Sequence, residues 1–281
     1  MGESGESSVA VRRIHGLDRG SNYSPSSAYV VTGSTAWIGK GLSCVCAQGR
    51  ESVARIPFEL TPSQKMESGL LFILDIFVVQ EECLQKLQRR LDVVYDSTKV
   101  EHQEALRALW YVAFPEVELR GLITEQWKEM GWQGKDPSTD FRGGGFISLE
   151  NLLFFARTFP KSFHDLLQKR VGDRSLWEYP FAVAGVNITF MLIQMLDLRA
   201  AKPRTMMGAL FLKILAEDER TFDLLYCITF KLMDHQWLTM NASYMDFNAV
   251  MKATRRQLER EFLLEDIQRL EDMPSFRLLL R

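Results

Sequence analysis

Apolar residues recur every three or four positions along most of the chain from Thr61 onward. This spacing is typical of one face of an α-helix, and no strand alternation or hairpin series interrupts it. The pattern therefore predicts an all-α protein, with a single compact domain of several helices. The segments with this period are 84–94, 98–114, 119–130, 148–159, 206–215, 222–238 and 247–264.

Capping residues and glycine mark several predicted helix ends. Thr98 followed by Glu101 has the spacing of a capping box, in which two side chains bond to backbone N–H groups of the first turn. Ser148 is expected to cap the helix that follows it. Gly131 is expected to end the helix before it, because glycine readily adopts the left-handed conformation found after a helix C-terminus.

The segment Phe181–Leu198 is apolar on nearly every side. Such a helix is either the buried centre of a bundle or a membrane span. Asn187, Thr189 and Gln194 interrupt it, and charged residues lie close to both ends. The sequence therefore favours a central buried helix over a membrane span.

Composition divides the chain near residue 57. Residues 1–57 begin with a Ser- and Gly-rich stretch and are predicted to form a disordered tail and linker, whereas residues 58–281 form the helical domain. Within that domain, Lys65–Gln80 is apolar in its second half without a helical period. We interpret it as an insertion, because its removal would join the flanking residues into one amphipathic helix. The alternative is a buried helical turn.

Charge and cysteine usage exclude several functions. The net charge of −2 gives no electrostatic basis for binding nucleic acid or an anionic membrane. The four cysteines have the spacing of neither a zinc site nor a disulfide framework, and Gly33–Gly41 departs from that of a phosphate-binding P-loop. The N-terminus is polar and shows no secretory signal. We therefore expect a cytoplasmic protein without a metal or nucleotide of its own.

The polar loop within Trp127–Leu149 is the strongest candidate for chemistry. It places Arg142 directly before the glycine run Gly143–Gly145. A loop of this length is usually functional or disordered, and embedded aromatic residues argue against disorder. Arginine is permanently charged and its planar fork matches phosphate oxygens, so a cation on a glycine backbone is suited to reach a partner's phosphate site.

Other residues are expected to shape this loop. Asp136 and Asp140 either accept backbone N–H bonds in turns, or one of them pairs with Arg142 until a partner arrives. On residue type alone, an arginine beside acidic residues is most often a structural ion pair, so the loop by itself does not decide the function. The expected aromatic anchors are Trp127, Trp132 and Phe141.

The run from Trp127 to Gly143 closely resembles the signature of the ELMO-domain family, in particular the minimal ELMOD-type proteins and their plant branch. The likeness extends from about Asp92 to the C-terminus, and Lys65–Gln80 is its main departure. The residues that carry the signature are Trp127, Gly131, Trp132, Gln133, Asp136, Pro137, Thr139, Asp140, Phe141, Arg142 and Gly143.

The resemblance implies an all-helical, ELMO-type domain that acts as a GTPase-activating protein for Arf/Arl-family small GTPases. The family's proposed catalytic arginine falls on Arg142, supplied in trans, and the neighbouring signature residues would shape the loop or contact the partner. No cofactor is implied, since GTP and Mg²⁺ belong to the partner GTPase. The partner would also hold this cytoplasmic protein on endomembranes or the plasma membrane. A non-catalytic adaptor or effector, which binds small GTPases or trafficking partners, is the alternative left open.

Overall fold

The computed structural model describes residues 78–169, 172, 174 and 178–280. These residues form α-helices joined by turns and short 3-10 helices and contain no β-strand, so the all-α prediction is confirmed. The α-helices are α1 (residues 78–91), α2 (Val100–Ala113), α3 (Ile147–Thr158), α4 (Pro160–Gln168), α5 (Phe181–Met195), α6 (Met206–Glu217), α7 (Thr221–Thr239) and α8 (Phe247–Phe262). The 3-10 helices are Glu125–Met130, Pro137–Thr139, Tyr244–Asp246, Leu270–Asp272 and Pro274–Leu278.

Helix α5 lies at the centre of the bundle. It packs against α3 and α7, which also contact each other, so the three helices share one core. The ring of Phe181 on α5 stacks on Phe230 of α7 with 5.0 Å between centroids. No described helix is long and apolar enough to cross a membrane. The prediction of a buried central helix within Phe181–Leu198 is therefore confirmed, although the α-helix itself ends at Met195.

A cluster of ion pairs ties α1 to this core. The Arg90 guanidinium on α1 donates to both carboxylate oxygens of Asp223 on α7, at 2.8 and 3.1 Å, and to Glu150 on α3 at 3.3 Å. The Asp223 side chain is 9% exposed, whereas that of Arg90 is 34% exposed. The cluster fixes the end of α1, after which residues 92–96 run toward the candidate site.

Two predicted helix caps are wrong. Thr98 does not cap α2, because its hydroxyl donates to Oδ1 of Asp96 at 2.7 Å and so belongs to the preceding turn. Ser148 lies inside α3 rather than before it. Its backbone N–H already donates to the carbonyl of Gly145 at 3.2 Å, so helical bonding begins before the serine.

The predicted helix at 119–130 is wrong over its first half. Only Glu125–Met130 is helical, as a 3-10 helix, and it ends as expected at Gly131, where φ is 86°. The Gln126 side chain accepts the backbone N–H of Arg120 and donates to a nearby carbonyl, both at 2.9 Å. A side chain thus satisfies backbone groups that helical bonds would otherwise have paired.

One further helix end differs from the prediction, and another agrees with it. Helix α1 ends at residue 91, so Val94 does not continue its buried face and is 74% exposed. The helix predicted over 148–159 stops before Pro160, as α3 does, and α4 begins at that proline. Proline is favoured at the first position of a helix, where its missing N–H costs nothing, so it starts α4 and separates it from α3.

Several sequence-based predictions concern residues outside the described ranges. They include the tail and linker at 1–57, the glycine-rich segment Gly33–Gly41, and Cys44 and Cys46. Of Lys65–Gln80, the structure describes only residues 78–80, which are helical and belong to α1. The insertion hypothesis therefore stays a prediction.

We expect Arg90→Met to lower the free energy of unfolding by about 2 kcal/mol, because the nearly buried Asp223 carboxylate would lose its cation. The loss falls below that of a fully buried pair, since Arg90 is itself one-third exposed. Urea-induced unfolding measures this change. Arg199→Met is the matched control, because it removes an exposed pair with Asp92 and should cost less than about 0.5 kcal/mol. Equal losses in the two variants would contradict the prediction.

Candidate functional site

Arg142 lies at the surface on a tight turn formed by residues 140–145, directly before α3. The turn is closed by a hydrogen bond from the Gly145 N–H to the Phe141 carbonyl at 2.8 Å. The Arg142 side chain is exposed and forms no hydrogen bond or ion pair with any residue that the structure describes. Its neighbour Phe141 is 2% exposed. The turn therefore exposes the Arg142 cation to solvent while the adjacent Phe141 side chain is buried.

Aromatic rings pack beneath the turn. The Phe141 ring stacks on Tyr95, with 4.7 Å between centroids, and meets the edge of Trp132 at 5.1 Å. Trp127 is fully buried and packs edge to face against Trp110 of α2 at 5.3 Å. The three aromatic residues that the sequence proposes as anchors are thus buried, and Tyr95 and Trp110 join them from outside the signature.

The two loop carboxylates hold backbone N–H groups rather than Arg142. Oδ1 of Asp136 accepts the N–H of Ser138 at 3.0 Å, and Oδ2 of Asp140 accepts the N–H of Gln133 at 3.1 Å. Burial raises the pKa of the Asp140 carboxyl, and the bond from Gln133 opposes that rise. The sequence left open whether these carboxylates form turns or pair with Arg142, and in the structure both accept backbone N–H groups of the loop.

Thr139 and Gln133 both have exposed side chains on this loop. The Thr139 hydroxyl donates to the Asp136 carbonyl at 2.9 Å and so helps to fix the short 3-10 helix there. Gln133 contributes its backbone N–H to the loop and leaves its amide side chain at the surface. Thr139 therefore shapes the backbone, while the Gln133 side chain is available to a partner.

The three glycines of the turn differ in what requires them. Gly145 has a φ of 70°, and a Cβ there would lie 2.9 Å from the Val93 carbonyl oxygen. A Cβ on Gly144 would collide with the Ser148 hydroxyl. A Cβ on Gly143 would meet only the Phe190 ring of α5, at an ordinary contact distance of 3.8 Å. Internal packing thus explains Gly144 and Gly145, whereas nothing within the described chain requires Gly143.

The segment at residues 93–96, which has no regular secondary structure, supports the turn from outside the signature. The Val93 carbonyl accepts the N–H of Phe146 at 2.9 Å. The Phe146 ring stacks on His102 of α2 at 3.9 Å, and Nδ1 of His102 accepts the Asp96 N–H at 2.9 Å. Burial lowers the pKa of His102, so the imidazole is neutral with its proton on Nε2.

Sequence reasoning missed this support because its contacts join residues that are distant along the chain. His102 was one of four scattered histidines with no recognisable spacing. The only signal that could have found it is the family likeness, which extends from about Asp92 onward and so includes His102.

Gly131 joins the same loop to the central helix. It adopts a φ of 86°, and a Cβ there would collide with the backbone N of Phe181 at the start of α5. Its carbonyl accepts the N–H of Val183 at 3.3 Å. The loop is thus fixed to the bundle both at the start of α5 and at residues 93–96.

In this arrangement the positively charged Arg142 side chain can bind an anionic group of another molecule. The described residues contain no group of three or more His, Cys, Asp or Glu side chains placed to hold a metal ion. The planar guanidinium of Arg142 can form two parallel hydrogen bonds to phosphate or carboxylate oxygens. Because the turn is already fixed by backbone bonds and buried rings, little ordering is needed when an anion binds.

A protein-family model described as the ELMO/CED-12 family matches residues 85–251, which is more than half of the chain. The chain belongs to the ELMO/CED-12 family. The matched region of this ELMO domain includes the Arg142 turn and helices α2–α7. The family predicted from the signature is therefore confirmed, whereas the minimal ELMOD type and its plant branch stay predictions.

The match to individual relatives covers only part of each of those proteins. ELMO domain-containing protein A from Dictyostelium discoideum is 31% identical over 198 residues, which cover 64% of this chain and 20% of that protein. ELMO domain-containing protein B of the same organism is 30% identical over 169 residues, which cover 60% of this chain and 56% of that protein. ELMO domain-containing protein 2 from Homo sapiens is 37% identical over 108 residues, which cover 38% of this chain and 36% of that protein. The chain thus matches between about a fifth and just over half of the length of these relatives.

The glycines of the ELMO signature allow a paired test. We expect Gly145→Ala to lower the free energy of unfolding by about 2 kcal/mol, because the left-handed backbone and the nearby Val93 carbonyl leave no room for a Cβ. Gly143→Ala should change it by less than about 0.5 kcal/mol. Thermal and urea unfolding of both variants measure the difference. If Gly143→Ala were the more destabilised, the packing of the turn described here would be wrong.

The neutral state of His102 predicts a pH dependence. Its folded pKa lies below the ordinary value, so the unfolded chain binds more protons as the pH falls through about 6.5. The stability contributed by His102 is therefore present above that pH and lost below it, with a slope under about 1.4 kcal/mol per pH unit for one proton. His102→Asn is the matched control, because it keeps an acceptor for the Asp96 N–H without titrating. Unfolding curves between pH 5 and 7.5 should diverge on the acid side, and parallel curves would contradict the assignment.

Proposed function

We propose that this protein is a GTPase-activating protein for Arf/Arl-family small GTPases and that it supplies Arg142 as an arginine finger. The observation that supports the proposal most directly is the exposed Arg142 guanidinium, which has no described partner and stands on a turn fixed by buried rings. Membership of the ELMO/CED-12 family is consistent with it.

In this proposal the protein docks on the GTP-bound GTPase and Arg142 reaches the oxygens around the γ-phosphate. Charge grows on those oxygens as the phosphoryl group is transferred, and a bidentate cation stabilises it. An arginine supplied in trans contributes about 10³–10⁵ to the rate of GTP hydrolysis. The GTPase provides the nucleotide, the Mg²⁺ ion and the residue that orients the attacking water, so this chain provides charge and position alone.

The fixed turn matters because a finger accelerates the reaction only if its charge is already in place. A mobile backbone would lose conformational entropy on ordering, and that loss would offset part of the stabilisation of the transition state. The Asp136 and Asp140 turns, the Phe141 anchor and the bond from Phe146 to Val93 all limit backbone movement at Arg142. Location would follow the partner, so the protein would be cytoplasmic or peripheral on the membrane that the GTPase occupies.

The test is single-turnover GTP hydrolysis by a panel of purified Arf/Arl GTPases, with wild type, Arg142→Ala and Arg142→Lys. We expect both variants to lose at least about a hundredfold in stimulation, because alanine removes the charge and lysine cannot reproduce the bidentate fork. Arg107→Ala, at another exposed arginine on α2, is the matched control and should keep full stimulation.

Near-full activity of Arg142→Lys would contradict the finger assignment. If the wild-type protein bound GTP-loaded GTPases without stimulating any of them, and Arg142→Ala only weakened that binding, the protein would instead be a non-catalytic adaptor or effector.

A further inference from the structure

The Arg142 turn alone is too small to hold a protein partner. A specific protein–protein interface buries about 800 Å² on each side and involves roughly 20–30 residues of each partner. The turn comprises only residues 140–145. A partner that delivers a phosphate to Arg142 must therefore also cover the surface on either side of the turn, and the structure shows what lies there.

On one side of the turn lies the exposed stripe of α5. The helix is buried at every position except Asn187, Phe190 and Gln194, whose spacing of three and four residues places them on one face. This face adjoins the turn, since a Cβ on Gly143 would lie 3.8 Å from the Phe190 ring. The only surface of the central helix therefore borders Arg142.

Phe190 is not explained by the fold. It is half-buried and belongs neither to the hydrophobic core cluster nor to the half-buried residues packed against that cluster. Aromatic side chains are enriched among the few residues that carry most of the binding energy of an interface, because they bury a large area with few rotatable bonds. Phe190 has the exposure and the position expected of such a contact.

Val94 lies in the segment that supports the turn. The carbonyl of its neighbour Val93 accepts the N–H of Phe146, and a Cβ on Gly145 would lie 2.9 Å from that carbonyl oxygen. Val94 is therefore the next residue after one that packs against the turn. The Val94 side chain is 74% exposed, although it is β-branched and apolar. Val94 also does not belong to the hydrophobic core cluster or to the residues packed against it.

We infer that Val94, Arg142 and Phe190 form one docking surface for the nucleotide-bearing face of a GTP-bound small GTPase. The inference rests on the proposed function and adds the residues that hold the partner. The unpaired guanidinium complements the phosphate charge, and the two apolar residues near the turn add contacts that the turn alone does not offer.

The test separates binding from hydrolysis. Binding of Arf/Arl GTPases loaded with a non-hydrolysable GTP analogue is measured for wild type, Val94→Asp, Phe190→Ala and Arg142→Ala, and single-turnover hydrolysis is measured in parallel. We expect Val94→Asp and Phe190→Ala each to raise Kd at least about tenfold, the loss of one interface hot spot. At saturating protein, the hydrolysis rate with Phe190→Ala should stay within about twofold of wild type, because Arg142 is intact.

Two exposed residues elsewhere serve as matched controls. Tyr111→Ala removes an exposed aromatic ring on α2, and Leu263→Asp places a charge at an exposed aliphatic position after α8. Both should bind within about twofold of wild type. Thermal unfolding is measured for every variant, and a variant whose Tm falls by more than about 5 °C is replaced by Val94→Ser or Phe190→Leu.

The outcomes distinguish this inference from the proposed function. If Arg142→Ala lost stimulation while Val94→Asp and Phe190→Ala bound like wild type, the docking surface would be wrong and the finger would stand. If the wild type bound without stimulating hydrolysis and both flanking variants lost binding, the surface would stand and the finger would fall. If no GTPase of the panel bound the wild type, both would be overturned.

Discussion

Burial of the apolar helix α5 is the constraint on which the rest of the structure depends. A helix that is hydrophobic on nearly every side is stable in water only when neighbouring elements cover it. Helices α3 and α7 cover most of it, and the signature loop contacts its start through Gly131 and its flank through Gly144. Inside this core the side-chain amide of Asn151 on α3 donates to the Thr189 hydroxyl of α5 at 2.9 Å, so one polar contact also joins these two helices.

The same constraint places and stiffens the candidate site. Because Gly131 and Gly144 allow the loop to approach α5 closely, the loop cannot move without exposing apolar surface of the central helix. The rings of Phe141 and Trp132 then fill the space beneath the turn. Arg142 is the residue of this turn that extends into solvent, so its position follows from the core rather than from contacts of its own.

Arg90 and Arg142 differ in whether they form ion pairs within the described part of the chain. Arg90 donates to Asp223 and Glu150, and such pairs fix helices relative to one another. Asp136 and Asp140 are near Arg142 in sequence, yet their oxygens accept backbone N–H bonds of the loop. The fold thus occupies the nearby carboxylates with the backbone, which leaves the guanidinium of Arg142 available to an external anion.

Local pattern in the sequence was enough to predict the all-α class, the buried central helix and a helix end at Gly131, because these follow from hydrophobic period and glycine chemistry. The family came instead from the resemblance of the signature around Arg142. Local pattern could not predict that Val94 leaves the helical face, that Ser148 lies inside α3, or that His102 supports the turn. Those features depend on which backbone groups meet across the bundle, such as Phe146 with Val93. Residue spacing along the chain therefore specifies most of the helices and the place of the candidate cation in its loop. What packs around that cation depends on the tertiary structure, because contacts between distant segments form only when the core closes.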